Sequence, residues 1–331
     1  MSTHSESAPR AESVALAQAA RLAGFAPSIH NTQPWRWRVD GPRLDLRAQR
    51  DRQLRVTDPD GRLLAISCGT ALHHVRVALA AEGWQVDVVR MPDPADPDLL
   101  ARLTVTGRTD VLPEAMRLLQ TMRIRHTDRR PVAGTPPGPD ALNAIREAVE
   151  GEGARLHVLR PDDVIELAAA ADHAQRVEAM DPAWRDELAY WAGGSRADGL
   201  GVPDEAIPVQ PPATTVPGRD FGRGGSLPVS AGHDRAARYG ILYGDDDSLV
   251  NWLRGGEALS ASWLIATEQD LTLLPLSATV EVTETRQKLR QLISNVGEPY
   301  LVLRFGTADP DHAGPPHTPR LPAEQVVEIA G

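Results

Sequence analysis

The sequence predicts an α+β fold of two tandem, diverged halves, packed as an intramolecular pseudo-dimer around central buried helices. Three observations carry this expectation. Residues 61–81 are apolar on nearly every helical face, with Leu63, Leu64, Ile66, Ala71, Leu72, Val75, Val77, Ala78 and Leu79, so that helix belongs at the centre of the molecule. Gly69-Thr70-Ala71-Leu72 superposes on Gly256-Glu257-Ala258-Leu259 at an offset of 187 residues, and Asp58, Asp60 and Ala78 then fall on Asp245, Asp247 and Ile265. The strand expected at Val86 to Val89 falls on Leu273 to Leu276 at the same offset, and Leu103 to Gly107 resembles Leu301 to Gly306. The two halves would pack as a homodimer does, each supplying its buried helix to the other. Chance similarity of two α/β segments is the competing explanation.

The elements follow in order. Ser13 to Arg21, rich in Ala, Leu and Gln, reads as a helix stopped at Gly24. Trp35, Trp37 and Val39 alternate with Arg36 and Arg38, the pattern of a half-buried strand. Asp40-Gly41 signals a hairpin turn, and Leu44-Asp45-Leu46 the returning strand. After the central helix, Trp84 to Val89 reads as a strand. The boundaries expected are a flexible N-terminus at 1–12, one half over 13–110 and a second over 111–331. Within the second half, residues 193–232 hold 9 Gly and 6 Pro in 40 positions, too many for a packed element. That stretch is expected to be a lid-like loop.

Bulk properties narrow the function classes. The formal net charge of −10 speaks against a dedicated nucleic-acid or acidic-membrane partner. Cys68 is the single cysteine, so neither an internal disulfide nor a multi-cysteine metal site is expected. Residues 1–12 lack the apolar core of a signal peptide, and no apolar run reads as a bilayer span. A soluble cytoplasmic protein acting on a small molecule is the expectation.

The motifs that mark nucleotide-binding loops, zinc proteases and serine hydrolases are missing from the chain. What it offers instead is the basic run M-R-I-R-H-T-D-R-R-P at 122–131. Arg125, Thr127 and Arg129 alternate, so an extended backbone projects them to one side as two guanidinium forks around a hydroxyl, a cradle for a phosphate dianion. A solvated charged stretch is the alternative. Arg320, in H-T-P-R-L-P, adds a late positive charge to a net-acidic chain. In A-P-S-I-H-N-T-Q-P-W, Asn31 and Gln33 supply paired amide donors and acceptors, the complement of a planar heterocycle. Cradle and edge-readers together suggest a phosphorylated aromatic cofactor such as FMN.

P-S-I-H-N-T-Q-P-W-R resembles the A-P-S-x-x-N-x-Q-P-W signature of the flavin-dependent nitroreductase superfamily. I-R-H-T-D-R-R is similar to that family's R-x-[ST]-x-[RK] motif. G-G-E-A-L-S-A-S-W-L-I-A-T followed by L-T-L-L-P-L-S resembles its central helix and flavin-adjacent strand, and Arg304-Phe305-Gly306 its closing R-x-G. A single chain of this length resembles most the actinobacterial Acg branch. The resemblance implies a nitroreductase-like fold and one FMN per chain, because only one arginine motif and one P-S-x-x-N segment are present. It implies that Arg125 and Arg320 hold the phosphate, Thr127 the phosphate or ribityl chain, and Arg129 the N1/O2 edge. Pro27, Ser28, Ile29 and Asn31 approach from the first half, with Gln33 fixing the turn. Pro275, Leu276 and Ser277 pass the N5 side, where family members often carry Glu-Gly in place of Leu276-Ser277. His30 receives no catalytic role, and no side-chain nucleophile or metal is expected.

The function implied is transfer of hydride from NAD(P)H through FMN to a small planar oxidant, nitroaromatic or quinone-like, by a monomer acting as a pseudo-dimer. The alternatives are an FMN-sequestering protein with a lidded flavin, and a degenerate pseudo-dimer that binds no cofactor.

Overall fold

The architecture follows from two helices that cross too closely for any side chain between them. In the computed structural model, which describes residues 11–132, 134–193, 198–229, 234–307 and 314–330, these are α2 (Arg62–Ala81) and α7 (Leu249–Glu268). A Cβ on Gly69 would run into the Leu253 carbonyl oxygen and lie 2.9 Å from Gly256 Cα. A Cβ on Gly256 would run into the Ile66 carbonyl oxygen and lie 2.8 Å from Gly69 Cα. The clash is reciprocal, and each residue meets its own counterpart at the offset of 187. One helical turn along, His73 Nδ1 lies 2.9 Å from Ser260 Oγ, a pair separated by 187 residues. This is the contact pattern of a two-fold axis.

Each of the two helices serves a sheet. The first sheet comprises β1 (Trp35–Asp40), β2 (Arg43–Ala48), β3 (Trp84–Arg90), β4 (Leu99–Arg108) and β9 (Val327–Ile329), in the order β3-β4-β2-β1-β9. The second comprises β5 (Arg155–Val158), β6 (Arg238–Gly244), β7 (Leu271–Leu276) and β8 (Glu298–Thr307), in the order β5-β6-β8-β7. Read outward from β3 and from β7, the two orders coincide up to the extra strand. The hairpin forms as the alternation requires: Trp35, Trp37 and Val39 are buried, Arg36 and Arg38 exposed, and Trp37 opposes Leu46. Gly41 takes φ +57°, a conformation that glycine adopts without strain.

Two expectations need adjustment. The chain's end does not stay with the second half, since β9 pairs in parallel with β1, Trp37 opposite Val327. The helix α2 does satisfy length and composition for a bilayer span, yet 89% of its apolar window is buried inside the protein, as a core helix is. The first helix, α1, spans Ala11–Leu22, two residues ahead of the expected start, and residues 1–10 lie outside the described residues. Residues 198–229, the described part of the Gly/Pro-rich stretch, hold one short 3₁₀ turn at Asp204–Ala206 and cover one side of the α2–α7 crossing. Residues 194–197 and 230–233 of that stretch lie outside the described residues.

Candidate flavin site

The turn between α1 and β1 is strained and tied down. His30, Asn31 and Gln33 all take positive φ, at 44°, 57° and 46°. Non-glycine residues persist there only where surrounding structure over-determines them. Here Ser28 Oγ accepts the Gln33 N–H at 2.9 Å, Ser67 Oγ accepts the Ile29 N–H at 3.1 Å, and the Thr70 hydroxyl donates to the Pro27 carbonyl at 2.6 Å. The turn is therefore fixed to α2.

The two amides do something other than read a heterocycle. Gln33 Nε2 donates to the Gly199 carbonyl at 2.8 Å, its Oε1 accepts the Leu321 N–H at 3.0 Å, and it lines neither of the two cavities described below. Asn31 Nδ2 donates to the carbonyls of Gly201 and Pro319 at 3.1 and 3.0 Å, while Oδ1 accepts Arg320 Nη1 at 3.1 Å. The physical reason is that a side-chain amide complements a peptide carbonyl as well as it does a ring edge. Buried, irregular backbone at 199–201 and 319–321 supplies carbonyls that need donors. The pair thus stitches three segments together and aims Arg320.

Arg320 faces a small cavity with Arg125, Thr127, Arg129, His126 and His317. Arg125 follows α3 (Pro113–Ile124) and is 3% exposed. One nitrogen donates to the Phe25 carbonyl at 3.3 Å; Nε and Nη1 are buried without a partner, as is Arg320 Nε. The guanidinium carbon of Arg125 sits 4.4 Å from the centre of the Trp263 ring, a cation–π stack from α7. Burial, then the charge of Arg320, pushes Arg125 down to about 9, and burial pushes Arg320 down to about 10. No carboxylate lines this cavity among the described residues. Unpaired buried guanidinium groups are costly unless an anion completes them.

Pro27, Ser28, His30, Thr127 and Arg129 border both this cavity and a larger one of about 1160 Å³, its open mouth included. The larger cavity is walled by Ile66 and Thr70 of α2, by Leu259 and Trp263 of α7, and by Pro275, Leu276 and Ser277 at the end of β7. Ile29 closes it from the strained turn, and Pro208, Pro217 and Phe221 from the 198–229 segment. Its largely apolar lining suits a planar ligand. Arg129 donates to the Ala206 carbonyl at 3.0 Å and lies 5.3 Å from the Phe221 ring; burial pushes it down to about 10, against the pull of Asp128. Arg304 also reaches this cavity, but its guanidinium donates to the Arg130 carbonyl at 2.8 Å and faces Asp234 at 3.4 Å, a structural role.

Three contributors escaped the sequence reading. Trp263 was visible only as part of a helix, yet it orients Arg125. Phe221 and Arg219 lay in a stretch defined by its glycines and prolines. Arg219 is gripped by Glu178 of α5 (Pro161–Met180) at 3.0 Å and by Glu281 of α8 (Ala278–Glu281) at 2.5 Å, and it donates to Ser277 Oγ at 3.3 Å. Burial, opposed by Arg219 and reinforced by Glu281, raises Glu178 to about 7.

The chain is 42% identical over 319 residues to Rv3131 of Mycobacterium tuberculosis, provisionally named an NAD(P)H nitroreductase, covering 93% of this chain and 89% of that protein. The chain belongs to the nitroreductase family. The M. tuberculosis protein acg, given the same provisional name, is 33% identical over 320 residues, 94% of each chain. Solved nitroreductases with bound FMN from Desulfitobacterium hafniense and Bacteroides fragilis are similar at 12% and 15% identity. They cover 61% and 58% of this chain, and 94% and 88% of those chains, with TM-scores of 0.38 and 0.35. No protein-family model matches the chain.

Proposed function

We propose that this nitroreductase-family chain binds one FMN and works as an NAD(P)H-dependent oxidoreductase on a small planar oxidant, nitroaromatic or quinone-like. The observation that carries the proposal is the pair of buried Arg125 and half-buried Arg320: Arg125 Nε and Nη1 and Arg320 Nε have no partner, and both residues line a cavity with no carboxylate among the described residues, bordered in common with an apolar one. Arg125 and Arg320 would hold the phosphate and Thr127 its approach, while Pro27, Ser28 and Ile29 face Pro275, Leu276 and Ser277 across the ring cavity. Arg129 would keep positive charge beside the ring. When bound, FMN supplies hydride transfer between the nicotinamide and the oxidant. The chain's own part is to bind, orient and exclude water.

The reciprocal crossing at Gly69 and Gly256 supports a duplicated chain in which a monomer stands in for a dimer. One arginine motif supports one cofactor. A cytoplasmic setting fits the buried single thiol of Cys68 and a nicotinamide donor. Flavin sequestration is the second reading, favoured by one observation: the 198–229 segment is pinned over the cavity by Arg219 between two buried glutamates. Anaerobic mixing with NADH and NADPH separates the two. Bleaching of the flavin absorbance supports the oxidoreductase; bleaching by dithionite alone supports sequestration.

A further inference from the structure

Any ligand with its phosphate at Arg125 and Arg320 and its ring in the apolar cavity must thread its linking chain past the five residues common to both spaces. Three of them are already partly engaged. The Pro27 carbonyl accepts from Thr70, Ser28 Oγ accepts from Gln33 while keeping its own O–H proton, and Arg129 is engaged by the Ala206 carbonyl and the Phe221 face. His30 and Thr127 differ. Among the described residues neither side chain makes a hydrogen bond, and the imidazole of His30 stands edge-on to Phe221, at 6.3 Å between ring centres and 71° between planes.

The chain also holds His30 in an unfavourable way. Its φ of 44° lies in the left-handed region, which is unfavourable for a non-glycine residue. Ser28, Asn31 and Gln33 make the surrounding bonds that keep it there, and the ring borders both cavities. Burial, then the charges of Arg219 and Arg129, holds the imidazole neutral, well below its usual range. A neutral imidazole offers one donor and one acceptor nitrogen, as a hydroxyl group offers both functions.

We propose that His30 is a flavin-binding residue that, beside Thr127, hydrogen-bonds the polyhydroxylated linker between the phosphate and the ring. This inference rests on the FMN reading above. It assigns His30 neither charge nor catalysis: the arginines hold the phosphate, and His30 fixes how far into the apolar cavity the ring is delivered.

The test is titration of the full chain with FMN, riboflavin and lumiflavin, the last having the ring without the linker. His30→Gly removes the ring while accepting the left-handed backbone, and should weaken FMN and riboflavin about three- to tenfold, the worth of one hydrogen bond. Lumiflavin binding should not change. His30→Asn tolerates the same backbone and keeps a donor and an acceptor, and should bind all three within about twofold of the parent chain. Unchanged affinity of His30→Gly for FMN and riboflavin would overturn the proposal. So would an equal loss for all three ligands, which would make His30 a prop for Phe221 and the ring cavity. If the parent chain binds none of the three, the FMN reading fails and this one with it; binding by the parent with an indifferent His30→Gly sinks this one alone.

Discussion

The two halves share a strand order and a central helix, yet they treat the matching region in opposite ways. On one side of their junction, Thr70 of the first half and Trp263 and Ser277 of the second border the large cavity. The residues 187 positions away from these three are Glu257, Arg76 and Arg90, and there the structure is closed. Glu257, its side chain fully buried, accepts from Arg76 at 2.8 Å and from Arg90 at 2.6 and 2.9 Å, and Arg76 also pairs with Glu152 at 2.5 Å. Buried charge appears in both places. Arg76 and Arg90 close on internal carboxylates, whereas Arg125 and Arg320 meet none among the described residues. Partners, more than charge, separate a core from a site.

That contrast can be broken by removing one charge at a time. The largest effect belongs to Glu257→Ala, which strands Arg90 and leaves Arg76 with Glu152 alone at the filled position. Unfolding free energy should fall by about 3–5 kcal/mol in denaturant titration, and a loss under about 1 kcal/mol would mean that the network is ornamental. Gly256→Ala comes next, because the added methyl meets the Ile66 carbonyl and neither backbone has room to move. A loss of about 3 kcal/mol is expected from the same titration; a stable, unaltered variant would refute the close crossing.

Arg125→Met should act in the other direction. With no carboxylate to strand, and despite the loss of the Phe25 and Trp263 contacts, the flavin-free protein should gain about 1 kcal/mol. FMN affinity should drop at least about a hundredfold, the loss expected when one member of a buried charge pair is removed. Thermal unfolding and flavin fluorescence read the two effects separately, and equal destabilisation of the free protein would erase the contrast between the halves.

Arg219 is the intermediate case, one cation between two acids. Glu178 is raised from the ordinary carboxyl range to about 7 in the folded chain. Folding therefore favours its protonated form, and stability declines as pH rises between about 4.5 and about 7. Asp58, lifted by burial to about 7, adds a decline of the same sign. Glu178→Gln should flatten the pH dependence by its own share, read as the difference from the parent chain across that window. An unchanged slope would place the proton elsewhere.

Much of this was legible in residues 61–81 and 122–131, for reasons that are local. An all-apolar helix has to be central, and an alternating Arg-x-Thr-x-Arg run gathers guanidinium groups whatever surrounds it. The offset of 187 aligned Gly69 with Gly256, and the fold brings those two residues together at the crossing. Which carbonyls the amides of Asn31 and Gln33 meet was not legible, because chemistry names what an amide can bond but not which carbonyl arrives. Gly199 and Pro319 lie more than 160 residues away in sequence. The return of β9 to β1 has the same cause, a three-residue strand too short to declare its partner. Trp263 and Arg219 acquire meaning only through Arg125 and Glu281, contacts that only the folded chain makes.

The central claim is that the unpartnered arginines exist to hold a flavin phosphate. It is tested most directly by the absorbance spectrum of the purified chain before and after incubation with FMN, then with riboflavin, which lacks the phosphate. A flavin spectrum at one FMN per chain, with riboflavin bound at least about a hundredfold more weakly, is the result expected. A chain that acquires no flavin absorbance, or that binds riboflavin as tightly as FMN, would contradict the account.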